Sequence, residues 1–282
     1  MFICILAKKY KDLSLSDKIR YTFGKYRPNI IDINTKDMHY CIVELVEKRN
    51  KIDFDAISNI SPRFCKNIVV SKDIILPEGL NIKSHKPKVL CNLLGLNGAI
   101  DILSKSRVPF VRRSMGLVDE AGIYMDFAEK MIINFPTVKV YTKNHTVYES
   151  FGEKMMELYG APLLVGDCFD FLSDCNIIFY PEASEAEFYI SSSFPPIICS
   201  QHINNKSNRN IFSLGDIEFP KEYINDITNC FDSMTFFDAA YSFCDTMRLV
   251  DSAVINYHDS SDCFTVDEMV KLVENRYKKS IY

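Results

Sequence analysis

Residues 111–181 alternate between short runs that favour strands and longer runs with a helical period. No other feature constrains the fold of this chain as strongly. Residues 111–118 read as a strand, 119–122 as a turn, and 123–134 as a helix with Met125, Phe127, Ala128, Met131 and Ile132 on one face. Phe135-Pro136 ends that helix, and 138–142 is a second strand. Thr146 and Glu149 have the spacing of a capping box; the helix they open runs through Leu158, with Gly160 in the left-handed position beyond its end. Residues 161–165 and 176–180 follow as further strands. Short strands separated by helices imply right-handed crossovers and a parallel sheet.

The flanking regions are less regular. The N-terminal third is rich in strands, at 2–6, 30–33, 40–46 and 67–70. Asp53 or Asp55 caps a short helix that ends near Ile60, before the Ser61-Pro62 break. Pro77-Glu78-Gly79 is a turn, and 84–88 reads as a linker. Residues 89–105 form a helix whose broad apolar face carries Leu90, Leu93, Leu94, Ala99, Ile102 and Leu103. Gly95 and Gly98 within it predict the close approach of another backbone. Further on, 197–200 reads as a strand and 201–210 as an exposed loop. Thr235-x-x-Asp238 starts a helix through Cys244 whose Phe236, Phe237, Tyr241 and Phe243 face a core, and Thr265-x-x-Glu268 caps a last helix reaching about Tyr277. The expected class is α/β: an N-terminal α/β region at 1–88, a parallel-sheet domain at 89–215, and a mainly helical segment at 216–282 packed on the others.

The 282 residues carry a formal charge of −4 and 47% hydrophobic residues, enough for a substantial core. Nucleic-acid binding driven by phosphates needs a basic surface, so the balance argues against it. The two short basic groups, Arg107/Arg112/Arg113 and Lys83/Lys86/Lys88, read as solvated surface. The ten cysteines include no Cys-x-x-Cys pair; the first ten residues lack the pattern of a secretory signal, and no apolar run approaches the ~20 residues of a membrane span. The expectation is a cytoplasmic protein without membrane partners, its thiols reduced and mostly buried. Residue usage rich in Lys, Ile and Asn suggests an AT-rich genome, and the chain as a whole looks bacterial.

Chemistry is best placed at the turn after Val118, because open α/β sheets bind ligands beyond the carboxyl ends of their strands. Gly116 and Gly122 stand six apart there, with Asp119 and Glu120 between them, in place of the Gly-x-Gly-x-x-Gly pattern. Two carboxylates at a phosphate position repel a pyrophosphate, whereas Asp119 as a cap and Glu120 near the helix start suit the positive end of a helix. The second acidic pair, Glu182/Glu185, falls at the same sheet edge. Of the five histidines, only His258, with Asp259, Asp262 and Cys263, sits in a cluster of metal-ligand types, and this stretch reads better as a turn; no metal site is expected. Cys168 reads as a packing residue.

Residues 111–184 resemble the NAD(P)-binding Rossmann-like domain of the shikimate dehydrogenase and glutamyl-tRNA reductase type. The resemblance lies in the strand-turn-helix order, in Val140-Tyr141-Thr142-Lys143-Asn144 before the second helix, in Tyr159-Gly160-Ala161-Pro162, and in Cys175-Asn176-Ile177-Ile178-Phe179-Tyr180-Pro181. It implies a cofactor, NADP or NAD, bound by Gly116, Asp119, Gly122, Thr142, Lys143 and Asn144, with Lys143 and Asn144 at the adenosine ribose. It also implies that Tyr180, Pro181 and Glu182 lie beside the nicotinamide. Two functional expectations follow. The first is a non-enzymatic protein on a degenerate Rossmann-like scaffold, acting by assembly or regulation, with a homodimer among its expected states. The second is an NAD(P)-binding oxidoreductase related to the shikimate-dehydrogenase type, with a nucleotide ligand.

Overall fold

A computed structural model describes residues 1–54, 68–78, 83–181, 194–200, 210–244 and 247–281. The capped helix expected before Ile60, Gly79, most of the loop 201–210, and the pair Glu182/Glu185 lie outside the described residues. In chain order the elements are β1 (Phe2–Lys9), α1 (Leu15–Thr22), β2 (Asn29–Asn34), β3 (His39–Lys48), β4 (Lys51–Ile52), β5 (Ile68–Val70), α2 (Val89–Lys105), β6 (Ser114–Val118), α3 (Met125–Asn134), β7 (Thr137–Tyr141), α4 (His145–Tyr159), β8 (Leu163–Gly166), β9 (Ile177–Tyr180), β10 (Ile197–Cys199), β11 (Ile211–Leu214), β12 (Ile217–Glu218), α5 (Ser233–Phe243), β13 (Ala253–Val254), β14 (Asn256–His258), β15 (Cys263–Thr265) and α6 (Val266–Ile281). The chain divides into two compact units: Met1–Leu90 with Phe219–Asp251, and Cys91–Glu218 with Ser252–Tyr282. Residues 216–282, read as one segment from sequence, are thus shared between the two.

The first unit holds a sheet of order β2-β3-β1-β5, with β4 paired to β3. β1 is parallel to β3 and β5, while β2 is antiparallel to β3 along its whole length, from Asn29 opposite Glu44 to Asn34 opposite His39. One face packs Ile3, Ile5, Val43, Leu45, Ile68 and Ile74. On α5, Phe236 meets Phe2 and Tyr40 edge to face, so the C-terminal aromatics do line a core, although Tyr241 and Phe243 are half-buried. Asp238 does not cap its own helix. That place is taken by Asp232, whose carboxylate accepts the Thr235 N–H at 2.8 Å. Asp238 is fully buried and accepts the Leu90 N–H at 2.7 Å and the Lys88 N–H at 3.0 Å, with His85 Nε2 at 2.8 Å. It caps the start of α2, about 150 residues away in sequence, where the first N–H groups of a helix lack partners.

The second unit holds an eight-stranded sheet of order β15-β14-β11-β10-β9-β6-β7-β8. The strands from β11 to β8 are all parallel. Numbered from β6 as the first, these six run 3-2-1-4-5-6, the order of the doubly wound dinucleotide-binding sheet. The fold is therefore mixed α/β and Rossmann-like. One face forms a single core with Leu96, Ala99, Ile102 and Leu103 of α2, Met131 of α3, Met155 of α4 and Met269 of α6 over Leu117, Val140, Phe179, Ile198 and Phe212. β14 and β15, too short to read from sequence, extend the sheet antiparallel.

Several local expectations differ from the structure. β6 begins at Ser114 rather than 111, because residues 110–112 form a 3-10 turn after Pro109. Arg113, read as solvated surface, is half-buried: its guanidinium donates to the carbonyls of Ser106 and Val108, 3.0 Å from each. Gly95 and Gly98 meet side chains rather than backbone: the Phe179 ring faces Gly95, and the Tyr257 hydroxyl faces Gly98. Of the nine described cysteines, all unbridged, four are buried, not most: Cys4, Cys91, Cys175 and Cys199. No helix among the described residues is long and apolar enough to cross a membrane.

Candidate functional site

The strand tips at Val118, Tyr141 and Gly166 lie side by side, and the ladder continues past them. The Asp119 N–H donates to the Tyr141 carbonyl at 2.9 Å, and the Thr142 N–H to the Gly166 carbonyl at 3.0 Å. This aligns the two predicted loops, 119–122 and 142–144, along one rim. The Lys143 N–H donates to the Glu120 carbonyl at 3.1 Å, and the Lys143 ammonium pairs with the Glu120 carboxylate. That hydrogen bond, reinforced by the carboxylate's charge, raises the Lys143 pKa. Thr142 Oγ1 accepts the Asn144 N–H at 3.0 Å, and Asn144 Nδ2 donates to the Ala121 carbonyl at 3.4 Å. Gly122 has φ +74°, and a Cβ there would stand 3.2 Å from Asn144 Cβ, so the turn requires glycine twice over.

Five of the six residues assigned from sequence thus meet at the rim. Gly116 does not reach it. It lies mid-strand, on the opposite face of the sheet from the helices, where its missing Cβ makes room for Ile178 Cγ1, 3.0 Å from the position a Cβ would take. Tyr180 ends β9, the strand beside β6, Pro181 follows it, and both are buried; Glu182 lies outside the described residues.

Asp119 is the centre of the site. It is 2% exposed, and its carboxylate accepts four hydrogen bonds. Oδ1 takes the Gly122 N–H at 2.9 Å and the Ile123 N–H at 3.1 Å; Oδ2 takes the Tyr124 N–H at 2.8 Å and the Tyr148 hydroxyl at 2.7 Å. These three N–H groups open towards α3, where the helix dipole favours an anion. In a dinucleotide-binding sheet, the pyrophosphate lies at the turn after the first strand. Here the carboxylate of Asp119 accepts the N–H groups of that turn. Tyr148, fully buried on α4, was not singled out from sequence; the available signal is that a buried tyrosine needs a hydroxyl partner. Burial, then the hydrogen bond to Asp119 and its charge, drive the phenol's pKa far above its ordinary range, so it donates and does not ionise.

Other candidates resolve locally. Asp259 Oδ1 accepts the Ser261 and Asp262 N–H groups at 2.8 and 2.7 Å inside the β14–β15 hairpin, so the His258–Cys263 stretch is a side-chain-stabilised turn. No group of three metal-ligand side chains is assembled among the described residues. Cys168 is exposed rather than packed.

No family model and no curated protein matches the chain in sequence. Among solved structures it is similar to a quinate dehydrogenase from Corynebacterium glutamicum in complex with NAD, at 8% identity and TM-score 0.32, over 96% of this chain and 98% of that one. It is also similar to an L-tryptophan dehydrogenase from Nostoc punctiforme, at 13% identity and TM-score 0.34, over 99% of this chain and 88% of that one.

Proposed function

We propose that this chain is a non-enzymatic protein on a degenerate Rossmann-like scaffold, acting by assembly or regulation. The observation that carries this reading is the four-bonded Asp119 carboxylate at the anion position of the rim. For a pyrophosphate to take its usual place, it must displace a carboxylate already holding three N–H donors, or approach it as a like charge in a site of low dielectric. The Glu120 carboxylate beside it adds to the repulsion, and Lys143, the cation assigned to a ribose phosphate, is paired with Glu120 instead.

A second reading, an NAD(P)-binding oxidoreductase of the shikimate-dehydrogenase type, is supported by the strand order and by the alignment of loops 119–122 and 142–144 at one rim. The solved structures named above belong to the class of this second reading, and their likeness does not decide between the two. Calorimetric titration with NADH and NADPH separates them. The scaffold reading expects no heat of binding and no shift in melting temperature at millimolar cofactor. Saturable binding by the wild-type chain, lost in Lys143→Glu, overturns it in favour of the oxidoreductase.

A further inference from the structure

α1, in the first unit, carries its apolar stripe on the solvent side. Leu15, Ile19 and Phe23 stand four residues apart, so they share one face of the helix and its C-terminal cap. They are 78%, 52% and 73% exposed. The half-buried residues are Asp17, Lys18 and Tyr21, on the opposite side, and none of the eight residues of the helix is buried. A surface helix ordinarily turns such a stripe towards the core, and apolar side chains grouped in solvent mark an interaction site. We propose that α1 lies along an anionic lipid bilayer, with Leu15, Ile19 and Phe23 inserted at the boundary of the acyl chains and the flanking basic side chains against the headgroups. The proposal is independent of what the rim binds.

Charge identifies the occupant. Residues 8–27 hold seven Lys or Arg against two Asp, a formal +5 in a chain whose total is −4. Within this stretch Lys8 is paired with Glu44 at 3.2 Å, and Arg20 lies 3.8 Å from Asp17. Lys18 donates to the Lys11 carbonyl at 2.8 Å. The side chains of Lys9, Lys11, Lys25 and Arg27 are exposed and form no ion pair among the described residues. Beside the stripe, Tyr21 meets the rings of Tyr10 and Tyr26, and the Lys48 ammonium stands 4.4 Å from the Tyr10 ring centroid. An apolar stripe, half-buried tyrosines and basic residues together are the composition of a helix that lies in the bilayer interface. A groove on an acidic protein is the competing occupant. Its fixed carboxylates favour guanidinium forks held in place, whereas three of the four unpaired cations here are lysines on long flexible stems, which suit a diffuse negative surface. Nucleic acid fits less well, because the exposed stripe is mainly aliphatic and offers bases little to stack on. The expectation of no membrane partner rested on the lack of a spanning run, and a helix lying in the interface needs none.

The test sediments the full chain with vesicles of phosphatidylcholine containing about 30 mol% phosphatidylserine, and with vesicles of phosphatidylcholine alone. Half-binding to the anionic vesicles is expected at on the order of 0.1 mM accessible lipid, the range of a single weak anchor. Binding should be at least about tenfold weaker on the neutral vesicles, and on the anionic ones when salt rises from about 0.1 to about 0.5 M. Leu15→Ser/Ile19→Ser/Phe23→Ser should lose at least about tenfold in binding through the lost insertion, and Lys11→Glu/Lys25→Glu/Arg27→Glu as much through the reversed charge. All six positions are exposed, and circular dichroism checks that each variant stays folded. The chain contains no tryptophan, so Phe23→Trp supplies a single fluorescent reporter. Its emission should shift to the blue on anionic vesicles and be quenched by lipid brominated in the acyl chain. A chain that ignores anionic vesicles leaves the stripe to an acidic protein and overturns the proposal. So does equal binding to both kinds of vesicle, binding indifferent to the triple serine variant, or emission from Phe23→Trp that stays unshifted on bound vesicles.

Discussion

Replacing Asp119 with alanine should cost the second unit about 3 kcal/mol, a figure that follows from counting which donors lose their partner. Four hydrogen bonds to a carboxylate, at about 1.5–3 kcal/mol each, set a ceiling well above this. Water lowers it. Ile123 is exposed and Tyr124 half-buried, so their N–H groups find solvent once the carboxylate is gone. The Gly122 N–H has a second acceptor, the Asp119 carbonyl at 3.2 Å, which the substitution leaves in place. The Tyr148 hydroxyl, on a fully buried side chain, is left stranded and costs about 1–3 kcal/mol alone. Removing that hydroxyl as well should restore part of the loss, so Asp119→Ala/Tyr148→Phe should be more stable than Asp119→Ala. The coupling in a double-mutant cycle should be about 1.5 kcal/mol. The assay is urea unfolding followed by far-ultraviolet circular dichroism, with amide exchange at Ile123 and Tyr124 as the local readout. A loss below about 1 kcal/mol for Asp119→Ala, or an equal effect of Tyr148→Phe in both backgrounds, would refute the view that this carboxylate is the structural anion of the rim.

Two further outcomes test the packing around this sheet. The Tyr257 hydroxyl is buried without a hydrogen-bond partner among the described residues and stands where a Cβ at position 98 would collide with it, so Tyr257→Phe should raise stability by about 1 kcal/mol. Gly98→Ala should destabilise the wild type by more than it does the Tyr257→Phe variant, read by thermal melting. Burial pushes the Cys175 thiol up to about 12, from a value near 9 when unfolded. The unfolded chain then ionises first, so the stability held below pH 9 should fall between pH 9 and 12 at up to about 1.4 kcal/mol per pH unit from this group. Cys175→Ala should make that fall measurably shallower in urea titrations at alkaline pH; an unchanged slope counts against a buried, neutral thiol.

What was legible in the sequence, and what was not, divides by the distance over which a residue finds its partner. Two capping boxes were read from the same spacing. At the start of α6, Thr265 Oγ1 accepts the Glu268 N–H at 3.3 Å and Glu268 Oε2 accepts the Thr265 N–H at 2.8 Å, as the motif requires. At the start of α4 the box does not form. The helix begins at His145, with Asn144 as its flanking residue, and Thr146 already lies inside. Asn144 is fixed from outside the helix: Thr142 takes its N–H, and its side-chain amide reaches the carbonyl of Ala121 across the rim. A local signal was overridden by the contact that joins the two loops. The same logic moved Asp238 from its own helix to the start of α2, a demand from a distant part of the chain that no short window contains.

Asp119 is the opposite case. Its partners Gly122, Ile123 and Tyr124 lie within five residues, so its role as an anion at a positive helix entrance was readable from the turn alone. Only Tyr148, supplied by the next helix, was hidden. The residue that replaces the glycine pattern and the residue that accepts the N–H groups of the turn are therefore one and the same. The donors of the first turn need a negative charge, and a bound phosphate or an internal carboxylate can each supply it. On the scaffold reading proposed above, a chain that carries its own has no need of cofactor to complete this corner. Its stability should therefore be indifferent to added dinucleotide, while Asp119→Gly, which empties the corner, should make that stability respond to inorganic phosphate. If phosphate raises the melting temperature of the wild type as much as that of the variant, the carboxylate is not standing in for a ligand.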